Sequence, residues 1–86
     1  MIPRLLTGAR LQYDDVRGEH VLLIPEGVVK LNPTAAEVLA LCDGERSLDY
    51  IAGAVSARYE GADVRDDVRE LVEAMAQKGL VVIDAA

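Results

Sequence analysis

The fold is decided between residues 20 and 44, which read HVLLIPEGVVKLNPTAAEVLALCDG. The first half of this stretch holds two short apolar runs, 20–24 and 28–31, on either side of the turn formers Pro25 to Gly27. From Asn32 onward the apolar residues recur at helical spacing instead. Asn32 followed by Pro33 is typical of a helix N-terminus. The stretch therefore predicts a β-hairpin that leads directly into a helix.

A further strand is predicted on the N-terminal side of this hairpin. Leu11 and Tyr13 alternate with the polar residues Arg10 and Gln12, and turn-forming residues follow at 14–18. The connections between the three runs are too short for parallel crossovers. We therefore expect a three-stranded antiparallel meander with strands at about 9–14, 20–24 and 28–31, and its third strand lies at an edge.

Three helices are predicted after the meander, at about 33–43, 47–59 and 63–78. The first has two candidate starts, the Asn32 cap and a capping box formed by Thr34 and Glu37, and Gly44 follows its end. Ser47 caps the second helix, and residues 80–83 are predicted to form a short extended tail that packs back. The result is an α+β fold, a single domain over residues 1–86 that is winged helix-turn-helix-like.

The composition excludes several classes of protein. One Cys and one His among 86 residues exclude a disulfide framework or a Cys/His metal cage within one chain. No motif for a metal or cofactor is present. No run of apolar residues is longer than the five at 38–42, and no secretory signal is visible at the N-terminus. We therefore expect a cytoplasmic protein without a membrane span.

The sequence shows no catalytic constellation. His20 and Cys42 lie in different predicted elements, and Cys42 falls on the apolar stripe of the first helix, where a buried structural thiol is expected. The adjacent carboxylates at 14–15 and 66–67 do not face each other, since neighbours in sequence point in different directions. The expected protein is not an enzyme.

The charge distribution argues against binding of nucleic acid. Residues 35–86 carry five basic and eleven acidic groups, so the whole net charge of −6 lies in the helical part. A winged-helix protein that reads DNA places a basic helix in the major groove. Here the third helix carries four carboxylates, Asp66, Asp67, Glu70 and Glu73, which repel a phosphate backbone.

Peptide binding is compatible with the predicted architecture. An edge strand at 28–31 offers unpaired backbone groups that an extended peptide can satisfy as an added strand. An apolar stripe on the third helix forms a wall beside it. In the alternative interpretation this stripe belongs to the core, and the open edge pairs with a second copy to form a homodimer. The candidate peptide-binding residues are Val28, Val29, Lys30, Leu31, Val64, Val68, Leu71 and Val72.

A set of short motifs in fixed order extends over residues 3–80. They are Pro3-Arg4-Leu5, Gly8-Ala9-Arg10-Leu11, Tyr13-Asp14 with Arg17-Gly18, residues 21–27, Leu31-Asn32 with residues 34–39, Cys42-Asp43-Gly44 with Arg46-Ser47, Ile51, Tyr59, Asp67-Val68 and Lys78-Gly79-Leu80. Through them the chain resembles the PqqD family of pyrroloquinoline quinone biosynthesis, a class of recognition element for ribosomally made, modified peptides.

The resemblance implies a non-catalytic peptide carrier. Members of the family bind the precursor peptide PqqA and present it to PqqE, a radical S-adenosylmethionine enzyme that crosslinks a Glu and a Tyr of that peptide. In related recognition elements the leader peptide adds to the third strand beside the third helix. On this chain the acidic side chains of the third helix would then steer basic peptide residues. Two alternatives stay open, a recognition element for another modified peptide and a self-associating or regulatory winged-helix module.

Overall fold

The computed structural model describes residues 1–84 and has a mixed α+β architecture with three helices and two antiparallel sheets in this part of the chain. The elements in chain order are β1 (Ile2–Leu5), β2 (Arg10–Asp14), β3 (Glu19–Ile24), β4 (Gly27–Leu31), α1 (Pro33–Ala40), α2 (Leu48–Arg58), α3 (Arg65–Gln77) and β5 (Val81–Asp84).

Strands β2, β3 and β4 form a three-stranded antiparallel sheet with β3 in the centre and β4 at an edge. The β3–β4 register is constant, from the pair Ile24 and Gly27 at the turn to the pair His20 and Leu31. The two turn residues between Ile24 and Gly27 explain this regularity, because a two-residue loop determines the register of a hairpin. The bounds of these strands differ by at most one residue from the predicted ones.

The second sheet is the main feature that the sequence analysis missed. No strand was predicted at residues 2–5, yet β1 pairs with β5 from Ile2 opposite Asp84 to Leu5 opposite Val81. The predicted extended tail is thus a hydrogen-bonded strand. Four residues with a proline among them give little local strand signal, and the pairing joins opposite ends of the chain.

Helix α1 ends at Ala40, three residues before its predicted end. The prediction was wrong because β1 engages the residues that follow. The backbone N–H of Leu5 donates to the carbonyl of Cys42 at 3.2 Å, and the N–H of Gly44 donates to the carbonyl of Pro3 at 3.0 Å. These bonds hold the chain beside β1, so it leaves the helix early.

Of the two predicted starts of α1, the structure uses Asn32. Its Oδ1 accepts a hydrogen bond from the backbone N–H of Ala35 at 2.7 Å. Thr34 instead shares a 2.9 Å hydrogen bond with the hydroxyl of Tyr59, and Glu37 forms an ion pair with Arg58. The expected capping box is therefore replaced by two contacts between α1 and the end of α2. Ser47 caps α2 as predicted, since its hydroxyl accepts from the N–H of Tyr50 at 3.1 Å.

The core lies between the three helices and the inner face of the three-stranded sheet. Leu22 is its fully buried contribution from β3, and Leu11 of β2 and Val29 of β4 flank it on the same face. The helices contribute Val38, Leu39, Leu48, Ile51, Val55, Val68, Val72 and Met75. Within residues 1–84, none of the helices has the length and apolar character needed to cross a membrane.

Candidate functional site

The open edge of β4 carries two free backbone positions. A two-residue hairpin loop closes on a hydrogen-bonded pair, and bonded and non-bonded pairs then alternate along the ladder. Because Ile24 lies opposite Gly27, the backbone groups of Val29 and Leu31 face β3, and those of Val28 and Lys30 face outward. The edge therefore offers two N–H donors and two carbonyl acceptors at the spacing of an added strand.

The side chains of β4 differ between the two faces of the sheet. Val28 and Lys30 lie on the outer face, where Val28 is 60% exposed. The Lys30 ammonium lies 3.7 Å from Glu19 Oε1 on the neighbouring strand. Val29 and Leu31 are half-buried and pack against the core from the inner face. A peptide at this edge would meet backbone groups along its length and apolar side chains from the inner face.

The structure separates the four candidate residues at the start of α3 and along it into two pairs, with Val64 as the residue before the helix. Val68 and Val72 are buried, with exposed fractions of 2% and 0%, so their side chains lie in the core. Val64 and Leu71 are half-buried and pack against the same core cluster from its margin. Only this second pair retains apolar surface for a ligand.

The acidic side chains of α3 are all exposed: Asp66, Asp67, Glu70 and Glu73. In the described part of the chain, none of the four has a Lys, Arg or His nitrogen within 4.0 Å. Arg65 at the start of the helix faces α2, where its Nε lies 3.7 Å from an oxygen of Asp49. The four carboxylates outnumber Arg65 and Arg69, so the exposed surface of α3 carries a net negative charge.

Cys42 is a structural thiol. It is buried, and its Sγ donates to the carbonyl of Val38 at 3.3 Å. Burial, with a smaller contribution from the neighbouring Asp43 carboxylate, raises the pKa of the thiol to about 11. The reactive thiolate is thus scarce at neutral pH. Among residues 1–84, no three His, Cys, Asp or Glu side chains come together as a metal-binding group.

Asp43 organises the turn between α1 and α2. The N–H groups of Glu45 and Arg46 donate to its Oδ1 at 2.9 Å and 3.1 Å, and the Arg46 guanidinium donates to Oδ2 at 2.9 Å. The hydrogen bond from Glu45, followed by those from Arg46 and its charge, lowers the pKa of the carboxyl. This explains structurally why an Asp stands at the end of the apolar stripe.

The sequence analysis missed a groove on the other side of the molecule, next to the β2 edge. It measures about 460 Å³ and is lined by β2, β3 and α1, with Arg58 at one end. Glu37 lies in it, with Oε1 3.2 Å from Arg58 Nε, and its Oε2 is buried without a hydrogen-bond donor. Glu37 belongs to the sequence motif at residues 34–39, but the sequence analysis interpreted Thr34 and Glu37 only as a possible helix cap.

Comparisons of the sequence with a family model and with known proteins point to the same family. A family model described as coenzyme PQQ synthesis protein D (PqqD) matches residues 19–81. The PqqA binding protein of Azotobacter vinelandii is 40% identical over 81 residues, which cover 93% of this chain and 88% of that protein. The bifunctional coenzyme PQQ synthesis protein C/D of Methylorubrum extorquens is 38% identical over 79 residues, which are 90% of this chain and 21% of that longer protein.

A solved structure agrees with the fold. It is the solution NMR structure of the PqqD truncation of Methylobacterium extorquens PqqCD, described as a functional, stand-alone recognition element for ribosomally synthesised and modified peptides. The TM-score is 0.80 at 35% sequence identity, and the match covers 94% of this chain and 88% of that one. The similarity therefore extends over nearly the full length of both chains.

Proposed function

The chain belongs to the PqqD family, and from this premise we propose that it binds the precursor peptide PqqA in pyrroloquinoline quinone biosynthesis and catalyses no reaction itself. The observation that carries the proposal is the open edge of β4, with the outward backbone groups of Val28 and Lys30. The names of its relatives, PqqA binding protein among them, support the choice of peptide.

The peptide would bind by strand addition. Its backbone would pair with Val28 and Lys30, which extends the three-stranded sheet by one strand and holds a flexible chain in a single register. Side chains on one face of the peptide would contact Val29 and Leu31 of β4. We place Val64 and Leu71 at the far wall of the site, with Val68 and Val72 supporting α3 from the core.

Electrostatics would assist the encounter between the two molecules. The exposed carboxylates Asp66, Asp67, Glu70 and Glu73 attract basic residues of an approaching peptide. Such steering raises the association rate more than the affinity, and it weakens as salt screens the charges. Peptide association should therefore slow at high ionic strength, while dissociation changes little.

Presentation to the radical S-adenosylmethionine enzyme PqqE is the second part of the proposal. A carrier that holds the peptide and the enzyme together raises the local concentration of the crosslinking site. The C/D relative supports association with pathway enzymes, because a PqqD-like segment is part of a longer bifunctional protein there. The buried free thiol of Cys42 suits the reducing conditions of the cytoplasm, where we place the protein.

We also propose that residues 1–86 form one peptide-recognition domain. Its arrangement is winged helix-turn-helix-like, with the meander beside the three helices. The same free edge of β4 favours one competing function, self-association into a homodimer, because an unpaired strand can pair with its own copy.

The test is a titration of the chain with labelled PqqA, beside a scrambled peptide of the same composition. We expect saturable binding of PqqA alone and faster crosslinking by PqqE when the chain is present. Binding of both peptides with equal affinity would refute specific recognition. Sedimentation of the chain with and without PqqA tests the competing function. A homodimer that PqqA does not dissociate would show that the β4 edge pairs with a second copy of the chain.

A further inference from the structure

The outer face of the three-stranded sheet continues the proposed peptide site on the side away from the core. Its residues surround a shallow hollow of about 340 Å³. Val21, Leu23 and Val28 form an apolar strip across β3 and β4 in this hollow, and the strip ends at the open edge of β4. A strand added to this edge would extend the strip by one position, because directly opposite residues of neighbouring strands point to the same face.

Lys30 places a positive charge on the outer face at the same edge. Its ammonium lies 3.7 Å from Glu19 Oε1, and its side chain remains 71% exposed. Glu19 belongs to β3, so it approaches Lys30 from the side away from the open edge. An ammonium has three donors, and it can therefore bind a second carboxylate that comes from the open side. Opposite charges that face each other on neighbouring strands stabilise the pairing, and like charges destabilise it.

The two faces of β4 differ in how well they distinguish one peptide register from another. A slip of the peptide by two residues keeps each peptide side chain on its own face, because the side-chain period of a strand is two. On the inner face Val29 and Leu31 are both apolar, so they accept the peptide almost equally well after such a slip. On the outer face the slip exchanges the peptide residues opposite Val28 and Lys30. Of the two faces of β4, the outer one therefore discriminates between these registers.

We propose that Val28 and Lys30 determine the register of the bound peptide, by pairing with an apolar and an acidic peptide residue that lie two positions apart. This inference rests on the proposed addition of the peptide to β4, and it specifies the chemistry of the peptide residues on the outer face. The apolar side chain lies over Val28 toward Leu23, and the carboxylate lies beside the Lys30 ammonium. The helices pack on the inner face, so this carboxylate is on the other side of the sheet from the acidic α3.

The test measures the affinity of variants of the whole chain for a set of labelled PqqA peptides, each with one residue replaced by Lys. For the wild-type chain, Lys at one peptide position, n, should weaken binding about two- to fivefold, because it faces Lys30. Lys30→Glu should reverse this effect, so that the peptide with Lys at n binds more tightly than unsubstituted PqqA. Val28→Glu should show the same preference for Lys two positions away, at n+2 in an antiparallel pairing or at n−2 in a parallel one.

Two further variants separate the pairing from general effects of charge. Arg10→Glu is the matched control, because it makes the same change of charge as Lys30→Glu at the opposite edge of the outer face. It should change the affinities of the Lys-substituted peptides alike, without a preferred position. Lys30→Gln avoids repulsion from Glu19, and it should abolish the loss caused by Lys at n. Thermal unfolding establishes that each variant is folded.

The distance between the two preferred peptide positions decides the outcome. Preferences of Lys30→Glu and Val28→Glu for positions that are not two residues apart would overturn the inference, and so would the absence of any preferred position for Lys30→Glu. In either case a wild-type chain that binds PqqA keeps the proposed function, and only the assignment of register to Val28 and Lys30 fails. A wild-type chain that does not bind PqqA refutes the proposed function itself, which distinguishes the two failures.

Discussion

Replacing Lys30 with proline tests strand addition at β4 through the backbone. The Lys30 amide faces outward, so proline removes a donor for the peptide without removing a bond to β3. One main-chain hydrogen bond contributes a net of about 0.5–1.5 kcal/mol, and each 1.4 kcal/mol changes an affinity about tenfold. We therefore expect Lys30→Pro to weaken PqqA binding about two- to tenfold. The double variant with Val28→Pro should weaken it about 5- to 150-fold.

The assay is fluorescence anisotropy of labelled PqqA, with thermal unfolding to establish that each variant is folded. Lys30→Ala is the control, because it removes the ion pair with Glu19 and keeps the amide. That exposed pair contributes less than about 1 kcal/mol to stability. A folded Lys30→Pro variant with wild-type affinity refutes the reasoning. Equal losses in the alanine and proline variants would show that the ammonium, and not the backbone, binds the peptide.

Three further predictions concern stability and the wall of the site. The pKa of the Cys42 thiol is about 11 in the folded chain, against an ordinary 9.0, so the thiol ionises at a lower pH in the unfolded chain. Its contribution to the free energy of unfolding is therefore complete below about pH 9 and is lost as the pH rises to 11. Urea titrations should show a decrease of about 2–3 kcal/mol in the free energy of unfolding over this range, and Cys42→Ala should abolish it. In the same assay at pH 7, Asn32→Ala should cost about 1 kcal/mol and Thr34→Ala less, because Asn32 caps α1; equal costs would contradict this. Val72→Ala should lower stability by about 2 kcal/mol, whereas Leu71→Ala should chiefly weaken PqqA binding, and the reverse pattern would exclude Leu71 from the site.

The parts of the fold that were predictable have local signals. Pro25 to Gly27 mark a hairpin turn, and Asn32 with Pro33 marks a helix start, so β3, β4 and the beginning of α1 follow from neighbouring residues. The pairing of β1 with β5 has no such signal, because its partners lie at opposite ends of the chain. The same long-range contact ends α1 early, since Pro3 and Leu5 bind the backbone at residues 42–44.

In the candidate site, too, features with a local sequence signal were predictable, and features that depend on long-range packing were not. The edge position of β4 followed from strand order alone, because the third strand of a meander has one neighbour. The helical spacing of Val64, Val68, Leu71 and Val72 located a stripe on α3, but it could not show which members lie in the core. Glu37 was interpreted, together with Thr34 three residues before it, as one of two possible starts of α1. Its actual partner, Arg58, is 21 positions away and is brought close only by the packing of α2 on α1.

The central claim is that PqqA adds to β4 as a strand, and amide hydrogen exchange measured by NMR with and without the peptide tests it most directly. In the free chain the outward amides of Val28 and Lys30 should exchange quickly, and those of Val29 and Leu31 slowly. Saturating PqqA should protect Val28 and Lys30 and leave the β2 amides at residues 10–14 unchanged. If Val28 and Lys30 keep exchanging at their free rate while the peptide is bound, PqqA does not add to β4.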